Sequence, residues 1–165
     1  MVFSEKGYTI VELLVVVSLI SILTALGVVH YAAQLPRYNL NDAAQRIISD
    51  LRWIRQKAIS EGMPATIQFD PISKGYSLPG PVDRPLPSHI RFGAKEGTPP
   101  PPDKSLPPHG VSFQGNKVHF QPNGTATPGS IYLTNSPAGR DSLAISVNMT
   151  GRIKLSRWDG KKWDD

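Results

Sequence analysis

From Ile10 to Val29 the chain is apolar, with Glu12 its one ionisable residue. As a helix this stretch is about 30 Å long, the thickness of a bilayer's hydrocarbon core. Pro36 disfavours helical geometry at Leu35 and predicts a kink or short break there, with Tyr31 and Tyr38 near a membrane interface. A second pattern starts near Asn39. Leu40, Ala44, Ile47, Leu51, Ile54 and Ala58 recur at spacings of four and three, and Ile48 widens the stripe. This predicts an amphipathic helix of about six turns, ended by Gly62-Met63-Pro64. Ala65–Phe69 then alternates as a strand, Asp70–Gly75 reads as a turn, and Tyr76–Leu78 as a returning strand.

From Pro79 to Pro108 proline, glycine and charge dominate, and only Ile90-Arg91-Phe92 suits a strand. Such a run reads as a surface loop or rigid spacer in preference to a polyproline ligand for a partner. Short strand candidates follow at Val111–Phe113, Val118–Phe120, Ser130–Thr134, Leu143–Val147 and Arg152–Leu155, separated by turn-formers. The whole predicts an α+β chain: a long N-terminal helix, transmembrane then amphipathic, on an antiparallel meander or two small sheets.

Composition adds limits. The 165 residues suffice for one small domain plus one membrane helix, and 14 Gly with 16 Pro favour short strands over further long helices. There is no Cys, so disulfides, thiolate catalysis and thiolate metal sites are excluded. The four histidines, His30, His89, His109 and His119, show no ligand spacing, and no Gly-x-Ser-x-Gly or phosphate-cradling motif is present. The expectation is a protein that is not an enzyme and carries no cofactor or metal. Net charge is +5, compatible with a nucleic-acid partner but ordinary for a soluble head. Arg46, Arg52, Arg55 and Lys57 read as a solvated helix face, partly balanced by Asp42, Asp50 and Glu61.

The front of the chain is the most specific feature. A secretory signal has a basic start and a cleavage site after a short apolar core. Here Lys6 stands beside Glu5, and Ala25-Leu26-Gly27 lies inside the apolar run. A plain anchor leaves Gly7 and Glu12 unexplained. Gly7 followed by Tyr8-Thr9-Ile10-Val11-Glu12 and a long apolar helix resembles the signal of type IV prepilins. The resemblance implies cleavage after Gly7 by a membrane peptidase and N-methylation of Tyr8, where that family usually has Phe. It also implies a role for Glu12 in filament assembly, through the new amino terminus of a neighbouring subunit.

The second half is similar to the GspH/FimT family of minor pseudopilins and minor pilins. The resemblance rests on Val118–Gly124, Gly129–Leu133, Ile145–Val147 and Gly151-Arg152-Ile153-Lys154. It implies a leader at 1–7, a transmembrane helix at 8–35, an amphipathic helix at 36–62 and a β-rich head at 63–165 with the Pro-rich loop 79–108. It implies a subunit of a type II secretion pseudopilus or a related type IV pilus, anchored singly in a bacterial inner membrane with its head in the periplasm. The implied partners are other pseudopilins or pilins, the prepilin peptidase, the inner membrane and secreted cargo. The FimT branch suggests an alternative, DNA binding through a C-terminal cluster of Arg152, Lys154, Arg157, Lys161 and Lys162, interleaved with Trp158 and Trp163.

Overall fold

The structure, a computed structural model, describes residues 7, 9–94, 97–101, 106–135 and 141–164, with backbone alone over 26–34. Residues 1–6, Tyr8, parts of the Pro-rich segment, residues 136–140 and Asp165 lie outside it. The chain falls into two compact units, Met1–Pro36 and Arg37–Asp165.

One helix, α1 (Ile10–Glu61), enters both units, with Pro36 inside it. The kink or break predicted at Pro36 therefore does not end the helix. An internal proline removes one N–H donor from the ladder, and the helix runs on through it.

The strands follow as β1 (Ala65–Asp70), β2 (Gly75–Leu78), β3 (Val82–Pro85), β4 (Ile90–Phe92), β5 (Lys117–Phe120), β6 (Gly129–Asn135), β7 (Ser142–Val147), β8 (Ile153–Trp158) and β9 (Trp163–Asp164). They form two antiparallel sheets, ordered β3-β2-β1-β5 and β4-β6-β7-β8-β9. Of the two arrangements the sequence allowed, the pair of small sheets is realised. Val111–Phe113 is no strand. It contributes one bridge, Val111 to Ile131, and turns into a short 3₁₀ segment at Gln114–Asn116.

The α1 stripe is the centre of the head. Leu40, Ala44, Ile47, Leu51, Ile54 and Ala58 each retain 1% exposure or less. Burying each of the four large ones contributes about 1.5–3 kcal/mol. Against them pack Ile67, Phe69, Val118 and Phe120 from the first sheet, and Ile131, Leu133, Leu143, Ile145 and Val147 from the second. Phe69 of β1 joins the layers, stacking on Phe113 at 6.2 Å and meeting Phe92 of β4 edge-on at 6.1 Å. The segment 79–108 is more than the expected loop: it holds β3 and β4, and Thr98 and Pro101 are buried within it.

Candidate processing and assembly site

Thr9 stands immediately before α1 and caps it. Its Oγ1 accepts the Glu12 backbone N–H at 3.2 Å, and its carbonyl accepts the Leu13 N–H at 3.1 Å. Thr9-Ile10-Val11-Glu12 thus has the Thr-x-x-Glu spacing of a capping box, with the threonine half made. The Glu12 carboxylate lies in the first turn, where the positive end of the helix dipole stabilises an exposed anion by about 0.3–1 kcal/mol. Gly7 lies outside the helix, is exposed, and has open space where a Cβ would stand. The peptide bond after Gly7 therefore follows a residue in non-helical backbone; Tyr8, the expected methylation site, lies outside the described residues.

Residues 10–25 are exposed throughout. Apart from Glu12, each polar side chain in that run bonds back to its own helix: Ser18 Oγ to the Leu14 carbonyl at 2.7 Å, Ser21 Oγ to Val17 at 2.8 Å, Thr24 Oγ1 to Ile20 at 2.7 Å. A hydroxyl satisfied inside the helix needs no water, which an apolar medium demands. Among the described residues no helix is long and apolar enough to cross a membrane. Described side chains of the apolar run stop at residue 25, short of the roughly 20 residues a span needs.

The head's turns are organised by Arg55, assigned from sequence to a solvated face. It is half-buried instead: Nε–H donates to the Gly124 carbonyl at 3.0 Å and an Nη2–H to the Thr150 carbonyl at 3.3 Å. Those carbonyls belong to the turns of Pro122-Asn123-Gly124 and Thr150-Gly151. Gly151 has φ +73°, and a Cβ there would lie 2.2 Å from the Gly124 carbonyl oxygen and 2.7 Å from Arg55 Nε. Two short motifs and one helix residue therefore form a single junction. Arg46 and Lys57 fit the solvated reading, pairing along the helix with Asp42 and Glu61 at 3.0 and 3.4 Å.

The C-terminal cations are all exposed. Strand alternation sends Lys154 and Arg157 to opposite faces of β8. Arg157 Nη2–H donates to Asn41 Oδ1 of α1 at 3.2 Å, while at Arg152 it is the backbone N–H that donates, to Asn148 Oδ1 at 2.8 Å. The Lys161 and Lys162 N–H groups both donate to Asp159 Oδ1, at 2.6 and 2.7 Å, closing the β8–β9 turn and holding that carboxyl below its usual range. The Lys162 ammonium sits 3.1 Å from Asp164. Trp158 is buried, and Trp163 packs 5.6 Å from it, so Trp158 offers no open ring to a base. Among the described residues no cluster of metal-ligating side chains occurs.

A model of the family described as Type II transport protein GspH matches residues 43–151, well over half of the chain. The chain belongs to the GspH family. A second model, Prokaryotic N-terminal methylation motif, matches residues 3–28. The Type II secretion system protein H of Xanthomonas campestris pv. campestris is 29% identical over 94 residues, which cover 55% of this chain and 56% of that one. The chain thus spans about half the length of the relative it matches. The fold is similar to that of the minor pseudopilin EpsH from the Type 2 Secretion System of Vibrio cholerae, with a TM-score of 0.51 and 12% identity over 71% of this chain and 95% of that one. At this identity the likeness speaks for the fold: the expected long helix on an antiparallel β head. The GspH match encloses Arg55 and Gly124 and ends at Gly151, so Arg152, Lys154, Arg157, Lys161 and Lys162 lie beyond it.

Proposed function

We propose that this GspH-family chain is a minor pseudopilin, a structural subunit of a type II secretion pseudopilus. One observation carries the reading: Gly7, in open non-helical backbone, stands two residues before Thr9, which caps an apolar helix bearing Glu12 in its first turn. A peptidase needs an extended substrate, and a glycine lets backbone enter a tight cleft. The segment 8–35 spans the inner membrane, the head stands in the periplasm, and cleavage after Gly7 leaves Tyr8 as a methylated amino terminus. Glu12 then faces a cationic terminus of a neighbouring subunit. Such a pair fixes register more than it adds stability. The role is structural, not catalytic, with other pseudopilins as partners and secreted cargo as what the fibre moves.

The test is processing in a strain carrying the matching peptidase. Wild type is expected to lose residues 1–7, while Gly7→Val keeps them and migrates more slowly; identical mobility sinks the proposal. Glu12→Ala is expected to be processed normally yet to drop out of cross-linked pseudopilin complexes. DNA binding has less behind it: Lys154 and Arg157 lie on opposite faces of β8, and the family match ends at Gly151, before all five cations.

A further inference from the structure

In the centre of the second sheet burial extends to both faces. Ile131, Leu133, Leu143, Ile145 and Val147 point into the α1 core. Tyr132 and Ala144 point the other way and yet are fully buried, and Ser156 and Trp158 on the same side of β8 keep only 6% and 9% exposure. An antiparallel sheet commonly wets one face; here the proline-rich segment reaches that face. The Trp163 Nε1–H donates to the Pro99 carbonyl at 2.8 Å. Thr98 keeps 6% exposure, and Pro101 is buried. Trp163 leans on Tyr132 edge-on at 6.2 Å and on Trp158 at 5.6 Å. Aromatic rings with an indole N–H aimed at a carbonyl of proline-rich backbone are how aromatic-lined grooves take polyproline-type ligands.

The resident segment fits badly at one atom. Among the described residues the buried Thr98 Oγ1 meets no hydrogen-bond partner. A buried hydroxyl left in that state opposes docking.

We propose that the Tyr132, Trp158 and Trp163 face is a recognition surface for an extended, proline-bearing segment of a partner polypeptide. In the isolated chain the Pro99 carbonyl takes the Trp163 indole N–H, and the partner displaces it. The surface works independently of leader cleavage and membrane insertion. The preferred occupant carries an apolar residue where the chain has Thr98.

The probe is a synthetic peptide of residues 97–108 with Thr98→Val, titrated into the full detergent-solubilised chain. A Trp53→Phe background leaves Trp158 and Trp163 as the fluorescent reporters. Thr98→Asp in the protein puts a charge where the resident segment is buried and expels it. The peptide is expected to bind that variant about tenfold more tightly than wild type, and Trp163→Phe in the variant to weaken binding about tenfold. No saturable binding to a Thr98→Asp chain with native circular dichroism, or indifference to Trp163→Phe, overturns the proposal. Should Thr98→Asp fail to fold, the valine and threonine peptides are compared on the unsubstituted chain: several-fold tighter binding of the valine form supports the surface, and equal binding overturns it.

Discussion

Arg55 bears on two turns that lie 69 and 95 residues away in sequence. Bonds from a charged donor are worth about 1.5–3 kcal/mol each, and partial exposure reduces that. Arg55→Ala is therefore expected to cost about 2 kcal/mol, seen as a melting temperature lower by roughly 4–8 °C in a chain of this size. Arg55→Lys restores little, since one ammonium cannot reproduce the fork that meets two carbonyls. Gly151→Ala tests the same junction from the other side. It places a methyl 2.2 Å from a carbonyl oxygen at a left-handed φ of +73°, so a loss of more than about 1 kcal/mol is expected in a denaturant titration. A loss under half that size in either experiment removes the junction from the account of the motif. Thr9 is the residue-scale counterpart at the other end of α1: Thr9→Ala is expected to cost the helix start about 1 kcal/mol, read as faster amide exchange at Glu12 and Leu13.

At the scale of elements, β2 is fastened to α1 by the Tyr76 hydroxyl, which donates to Asp50 Oδ2 at 2.6 Å while Arg84 of β3 stands 3.8 Å from the same carboxylate. Burial first, and then that bond, push the phenol above its ordinary range. An unfolded chain releases the proton near pH 10, and the folded chain only higher. The stabilisation is thus complete below about pH 10 and declines as pH rises from there. Absorbance titration of the folded chain is expected to show a late tyrosinate component that Tyr76→Phe removes. The elements themselves were legible where periodicity was clean. The stripe from Leu40 to Ala58 is buried as its spacing predicts, and β1, β2, β4 to β7 fall within about a residue of the predicted runs. β3 was not legible, because Val82-Asp83-Arg84-Pro85 is exposed at every position and carries no alternation. β9 was missed for its length of two residues, and β8 was read too short because Arg157 and Trp158 looked like a tail. Arg55 was misread for a different reason: a helix pattern records which face a residue is on, and its partners come from distant turns.

At the scale of the whole chain, the head has its own core, drawn from α1 and both sheets after residue 37. A fragment beginning at Arg37 is expected to unfold cooperatively, with a melting temperature within a few degrees of the full chain; a non-cooperative melt contradicts that independence. The long helix begins on different terms. Its first turn is closed by Thr9, which bonds the Glu12 and Leu13 N–H groups. Under the proposed processing, a cut after Gly7 leaves Thr9 and its bonds to Glu12 and Leu13 on the product, so this cap serves the chain on either side of the cut. The proposed cut would place a positive terminus at a set distance along the chain from Glu12. In an apolar medium a helix end with unsatisfied amides is costly, and Thr9 meets the Glu12 and Leu13 N–H groups from within the retained chain.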